Sequence, residues 1–351
     1  MILYERLKNI QRYGDDGARL KAYKKFTGNV GLEIETESNE IYPIPDMKFW
    51  FAQIDPSLRG KFNQEYTLKQ PVRFQGELDS ALNEFQESTK NIKFIKNSIT
   101  SSVHVHLNFL NSTFREMGNF ITAYALTENL LSNYAGENRK SNLFCLSIRD
   151  AEETYKNCVS LFQKAEKQDY ANIFFKEQHV KYAALNLSAL KNFGSLEIRS
   201  FRGETNIIPI KKWISILENL YKYSHEKDRT PKDILLDWKN KQAEVLPDIY
   251  GDYAKELIYK DYISDLDSNV WYAACIAYSV KNWIKIDEVK NEEKEVKKYT
   301  MKELNQAAKH LFGFPMVELD LAQIDHVHNW LNAREENKQR PEELVIGDRD
   351  L

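Results

Sequence analysis

The most informative stretches of the chain alternate between apolar and polar positions. In Gly28–Glu37 (GNVGLEIETE), Leu32, Ile34 and Thr36 fall on one side and Glu33, Glu35 and Glu37 on the other. In Ser102–Leu110, Val103, Val105, Leu107 and Phe109 oppose His104, His106 and Asn108. A period of two predicts a half-buried strand whose polar face is directed at something. Phe49–Ile54, Glu65–Leu68, Tyr182–Leu190 and Ser195–Phe201 predict further strands, the last two joined as a hairpin through the turn-rich Lys191–Gly194. Helical spacing predicts helices over residues 3–12, Leu78–Thr89, Phe114–Tyr134, Asp150–Lys167 and Pro209 to about Tyr223.

The pattern changes near His225. The polar stretch His225–Pro231 (HEKDRTP) predicts a linker. Beyond it, Asp233–Gln242, Tyr253–Ile263, Asn269–Lys285, Met301–Leu311 and Leu319–Glu336 carry helical spacing. Lys290–Lys298 is a mixed charge run expected to be solvated, and the tail from Arg340 is expected to be loose. Two regions follow: 1–225, mixed strands and helices, and 226–351, helical.

Composition narrows the class. The chain has 351 residues, 42% hydrophobic and 29% charged, which suits a soluble globular protein with a real core. A net charge of −3 and a pI near 6.2 disfavour nucleic acid as a tight partner. No apolar run reaches the ~20 residues of a membrane span, and the N-terminal stretch has no signal-peptide core. The three cysteines, Cys145, Cys158 and Cys275, fit neither a zinc pattern nor a disulfide framework, so a reducing, cytoplasmic location is expected.

The candidate chemistry sits on the alternating segments. Glu33, Glu35 and Glu37 project side by side, and like charges that close call for compensation. A hard divalent cation supplies it through oxygen ligands; a solvated edge strand is the plainer alternative. His104 and His106 share one strand face and can reach a metal or a phosphate, or can simply be an exposed polar face. In SLEIRSFRG, Glu197 and Arg199 share a face, as a structural ion pair or as a metal ligand beside an oxyanion clamp. Glu65 adds a carboxylate and Lys181 a cation at the head of KYAALNL.

Taken in order, these segments resemble the amidoligases of the carboxylate–amine ligase superfamily, which includes glutamine synthetase and glutamate–cysteine ligase. The resemblance covers roughly residues 28–224 and is closest to amidoligases of phages and bacteria. It rests on GLEIETE, on WFAQIDPSLRG followed by EYTLKQPV, on SVHVHLNF, and on KYAALNLSALKNFGSLEIRSFRG. It implies an α+β fold like the glutamine synthetase catalytic domain, a curved antiparallel sheet with helices on its outer face, followed here by a helical C-terminal region. It implies ATP and two or three Mg²⁺ ions, or Mn²⁺, as cofactors. Glu33, Glu35, Glu65, His104 and Glu197 become metal ligands, and Arg199 steadies the transferring phosphoryl group. Lys181 and Arg139 become phosphate-side cations, His106 and Asn186 line the site, and Asp55 meets substrate or a water.

The implied reaction joins a carboxylate to an amine through an acyl-phosphate, with Glu37, Asp55 and His106 as candidate bases and both substrates unnamed. Two other functions use the same residues: a metal-dependent hydrolase or phosphatase, and a non-catalytic partner-binding protein that keeps the scaffold. Asp325–His328 (DHVH) lies in a helical stretch, where i and i+2 do not share a face, and is expected to carry no site. Trp238, Trp271, Trp283 and Trp330 are expected in core positions.

Overall fold

Six strands form one sheet in the order β2-β3-β1-β4-β6-β5, every neighbouring pair antiparallel. They are β1 (Val30–Ser38), β2 (Trp50–Ile54), β3 (Phe62–Leu68), β4 (Ser102–Asn108), β5 (Leu185–Asn186) and β6 (Ser195–Arg202). The structure is a computed structural model that describes residues 3, 25–96, 98–140, 142–169, 182–288, 301–312, 315, 327, 330 and 331. Of the expected helix at 3–12, only the buried Leu3 falls among them. Lys181 and the Asp325–His328 motif, Val327 apart, lie outside them.

Alternation sorts the sheet into two faces. Leu32, Ile34, Tyr66, Val103, Val105, Leu107, Leu196 and Ile198 are all buried on the helix-covered face. Helix α1 (Glu77–Thr89) covers the β2–β3 end, where Phe85 meets Trp50 and Tyr66 at 5.6 and 5.1 Å between ring centroids. Helix α2 (Phe114–Ala135) begins with a capping box between Thr113 and Glu116, which satisfies two otherwise orphaned N–H groups. Its side chains are buried almost all the way round, from Phe114 to Ala135. A helix apolar on every side must be covered on every side. The strands and α5 (Ile207–Ser224) cover part of it, and helices from beyond residue 226 cover the rest.

Those outer helices are α6 (Pro231–Asn240), α7 (Gln242–Tyr250), α8 (Ala254–Leu257) and α9 (Tyr262–Ala277), while α3 (Glu152–Glu166) packs against α9 and α2. At Gly118 a Cβ would lie 2.5 Å from the Trp283 ring, so the close approach of this segment to α2 requires glycine. The composition change near 226 marks a turn to helical structure. The division between compact units falls later, between Val289 and Lys290. In the second unit, Leu304, Ala307 and Ala308 of α10 (Met301–Phe312) bury against Val327.

The structure corrects several expectations. Tyr182–Leu190 is not one strand: Leu185–Asn186 joins the sheet, Ala183 makes an isolated parallel bridge with Leu146, and Ser188–Phe193 is helix α4. Asn186 Oδ1 accepts the Ser188 N–H at 2.9 Å and turns the chain out of the sheet. Good helix formers follow until Gly194, whose φ of 69° ends the helix. The link between β5 and β6 is therefore a short helix. Pro231 does not end a linker; it opens α6 behind a Thr230–Asp233 capping box. The helix expected at 269–285 runs instead from Tyr262 to Ala277. Trp238 and Trp283 are core, but Trp271 is 57% exposed.

Candidate active site

The second face of the sheet is polar, and the strand register decides which residues meet on it. Glu35 pairs with Glu65, and Glu65 with Gln53. One step along, Glu33 pairs with His104. A further step aligns Gly31, His106, Glu197 and Asn186 across four strands. Residues that are 71 and 91 positions apart, Glu33 with His104 and His106 with Glu197, thus become cross-strand neighbours at the ~5 Å spacing of adjacent strands.

The contacts are close. His104 Nδ1 lies 2.9 Å from Glu33 Oε2 and 3.5 Å from Glu197 Oε1, and its Nε2 lies 3.7 Å from Glu35 Oε1. His106 Nε2 lies 3.2 Å from Glu33 Oε1, and its Nδ1 is 3.2 Å from Ser195 Oγ. Ser102 Oγ donates to Glu35 at 2.6 Å. Asn186 Nδ2 donates to Glu197 Oε2 at 2.6 Å, while an Arg199 guanidinium nitrogen donates to Glu197 Oε1. Gln53 Nε2 donates to Glu65 at 2.7 Å. One ligand atom from each of Glu33, His104 and Glu197 fits within a 4.8 Å span.

Electrostatics follow from this packing. Burial alone raises a carboxyl; at Glu33 the His106 and His104 imidazoles outweigh it and hold the group well below the usual carboxylate range. At Glu197, burial is likewise outweighed, by Arg199 and both histidines, and the carboxyl is lowered. At Glu65 the His104 imidazole acts only weakly and is outweighed. Burial and then the Glu33 charge push its carboxyl up, with Glu35 adding to the effect. Burial lowers the His106 imidazole, but Glu33 and Glu197 reverse that and raise it.

A bulge shapes the Arg199 end. Val105 pairs with Ile198 but Val103 with Phe201, so β6 carries one extra residue there. The insertion lets Ile198 and Phe201 both turn to the core while Arg199 stays beside Glu197. Phe201 stacks on Trp213 at 5.1 Å. Two openings flank the cluster. One, of about 80 Å³, is lined by Gly31, Glu33, Thr67, His106, Asn108 and Phe193. A Cβ at Gly31 would sit 3.3 Å from that of His106, so the bare glycine keeps the floor open. The other, of about 280 Å³, is bordered by Glu35, Lys96, Ser101, Glu204 and Asn206.

Of the residues read from sequence, Glu33, Glu35, Glu65, His104, His106, Asn186, Glu197 and Arg199 come together on this face. Asp55 does not join them by any contact described; its carboxylate accepts the Ser57 N–H at 2.8 Å and caps its own turn. Glu37 ties loops, accepting from the Arg59 N–H at 2.8 Å and the Thr100 hydroxyl at 2.5 Å. Arg139 lies buried beneath β6, with donors on the backbone carbonyls of Arg199 and Ser200. Sequence reasoning missed Ser102, Ser195 and Gln53. The first two share the period of His104 and Glu197 and were open to detection; Gln53 depends on register alone.

Compared with known proteins, the chain matches no family model and no curated protein. The chemistry of the site therefore stands on its own donors: two carboxylates and an imidazole in one cluster, further carboxylates in the next row, and a guanidinium at its edge. Such oxygen-rich sets suit hard divalent cations.

Proposed function

We propose that this protein is an ATP- and Mg²⁺-dependent carboxylate–amine ligase of the amidoligase type, with a glutamine synthetase-like fold. One observation carries the proposal: Glu33, His104 and Glu197 converge within 4.8 Å, with Glu35 and Glu65 in the adjoining row and Arg199 alongside. The antiparallel sheet with helices on one face is the coarse form of that fold. Burial first, and then the charges of Glu33 and Glu35, raise the Glu65 carboxyl, and a cation would offset the charge part of that rise.

Glu33, His104 and Glu197 would hold a divalent ion, with Glu35 and Glu65 beside it. When bound, it screens the repulsion between a carboxylate and the phosphates of ATP. The remaining work falls to protein groups and is mainly positioning and electrostatics. A substrate carboxylate oxygen attacks the γ-phosphorus, and ADP departs. Arg199, whose Nε has no partner among the described residues, offers donors to the transferring phosphoryl group. The amine nitrogen then attacks the acyl carbon, phosphate leaves, and the amine proton passes to a base. Glu37 and Asp55 are engaged in their own loops, which leaves His106 as the candidate base, with a bound cation needed to offset the Glu33 and Glu197 charges that raise its imidazole. Asn186 orients Glu197 through its amide. Lys181 keeps its phosphate-side role within the proposal.

The test is ADP release by the purified protein with Mg²⁺-ATP against a panel of carboxylates and amines, beside a Glu197→Ala, Arg199→Ala double variant. ADP formed only with particular pairs, and lost in the variant, is the expected result. If calorimetry detects no binding of Mg²⁺-ATP, the ligase proposal fails and a hydrolase on the same cluster becomes the next candidate.

A further inference from the structure

A buried arginine needs acceptors, and Arg139 has unusual ones. It is 2% exposed, yet no described carboxylate forms an ion pair with it. Its Nη2 donates to the carbonyl of Arg199 at 2.9 Å and its Nε to that of Ser200 at 3.3 Å. These two peptides are the bulge of β6, where the register with β4 slips between Val103 and Val105. A bulge leaves ladder groups unpaired, and a buried carbonyl without a donor is destabilising. The Arg139 fork supplies the missing donors. On its other side the same peptide run is fixed by the Arg199 N–H, which donates to the Ala184 carbonyl at 2.8 Å.

Local sequence explains how Arg139 arrives there. Helix α2 ends at Ala135, and Gly136 adopts φ 126°, a conformation other residues rarely take. The 3₁₀ turn Glu137–Arg139 then carries the side chain under β6, and Cys145 Sγ lies 3.3 Å from the Arg139 carbonyl.

We propose that Arg139 is a positioning residue: by bridging the two bulge carbonyls it fixes the backbone that holds Arg199 against Glu197. Arg139 acts through Arg199 and contacts neither substrate nor metal. The consequence for turnover rests on the ligase proposal; the effect on the Glu197 site does not. An Arg199 held on Glu197 Oε1 competes with a cation for that oxygen. Loosening the bulge therefore frees a ligand atom.

The probe is Mn²⁺ alone, titrated by calorimetry into the full chain. Arg139→Lys keeps the charge but lacks the planar fork that spans two carbonyls. It is expected to tighten Mn²⁺ about threefold or more. In the Arg199→Ala background the same substitution is expected to change Mn²⁺ affinity by less than about 1.5-fold, because the coupling has lost its other end. A lowered melting temperature with unchanged Mn²⁺ affinity would mean that Arg139 is only structural and would overturn the proposal. So would a shift of equal size in both backgrounds. If the lysine variant does not fold, the unaltered protein decides: the Arg139 Nε proton must exchange slowly and correlate by NMR with the Ser200 carbonyl. Fast exchange refutes the bridge. None of these readouts needs turnover, so failure of the ligase proposal leaves them interpretable.

Discussion

Two carboxylates withdrawn from water, one fully and one in part, meet opposite fates. Glu128 sits on α2 among apolar side chains, with its Oε2 accepting the Ile148 N–H at 2.7 Å. Burial pushes its carboxyl from 4.5 up to about 8, and the nearby Asp150 adds to the rise against Arg149. Glu33 is half-buried, its side chain 22% exposed, yet it lies between two imidazoles and stays ionised. Both lose water, Glu128 more completely than Glu33; what reverses the outcome is company. The helix layer can keep a carboxyl neutral because nothing there needs its charge. The polar face keeps its charges by placing histidines and Arg199 among them, an arrangement useful for holding a cation and an anion close together.

The largest test of this contrast removes Glu33. Glu33→Ala is expected to lower ATP-dependent turnover by about 1,000-fold or more and to abolish Mn²⁺ binding by calorimetry, with a lowered melting temperature because His104 and His106 lose their carboxylate partner. A folded variant with near-normal metal affinity would break the comparison, since Glu33 would then be a structural partner of His104 only.

Glu128 makes the opposite prediction. Its folded value lies above its unfolded one, so the stability linked to it is fully present below about pH 4.5 and is lost as pH rises through about 8. Over that window the loss is on the order of 4 kcal/mol. Glu128→Gln should flatten the urea midpoint across pH 5 to 8 and leave metal binding unchanged. A pH profile that keeps its slope in the variant would place the titrating group elsewhere.

The polar face was largely legible from sequence, because a period of two is short-range and shows which residues share a side. Glu33, Glu35, His104, His106, Glu197 and Arg199 follow from it. What was not legible depends on register and on irregularity. Nothing local says that Glu33 stands opposite His104 in the register, with His106 also in reach, or that Gln53 faces Glu65. The β6 bulge was invisible for the same reason, since an extra residue shows only against a partner strand. The Ser188–Phe193 helix hid behind the apolar residues before it. Short apolar runs serve helix and strand equally, and here Asn186 and Gly194 decide. The helices after 226 were visible, but their place on α2 was not; α2 itself signalled it by being apolar on every side.

Glu37 is an intermediate case, a carboxylate kept ionised by neutral donors. Burial raises it, but the Thr100 hydroxyl and the Arg59 and Gly60 N–H groups outweigh that and lower it. Its folded value lies below the unfolded one, so its contribution is present above the unfolded value and is lost as pH falls through the folded one. Glu37→Gln should destabilise by about 1–2 kcal/mol in neutral urea titrations. Turnover should remain within about threefold of normal, since the group holds loops rather than substrate. A loss comparable with that of Glu33→Ala would move Glu37 into the reacting centre.

Glu65 gives the smallest effect and the one most specific to a missing cation. It shares the polar face with Glu33 but has no imidazole in hydrogen-bond contact; its only described donor is Gln53 at 2.7 Å. Burial first, then the charge of Glu33, raise its carboxyl. The raised value means stability that is present at low pH and lost as pH rises through the folded value. In chelator-treated protein at neutral pH, Glu65→Gln should therefore stabilise by about 0.5–1 kcal/mol after solvent screening. Excess Mg²⁺ should reverse the order, because a cation beside Glu33 and Glu35 converts the repelled carboxylate into a favourable neighbour. Paired melting curves with chelator and with Mg²⁺ read this sign change directly. A glutamine variant that is more stable in both conditions would show that no cation acts on Glu65, and the polar face would then hold its charge through protein groups alone.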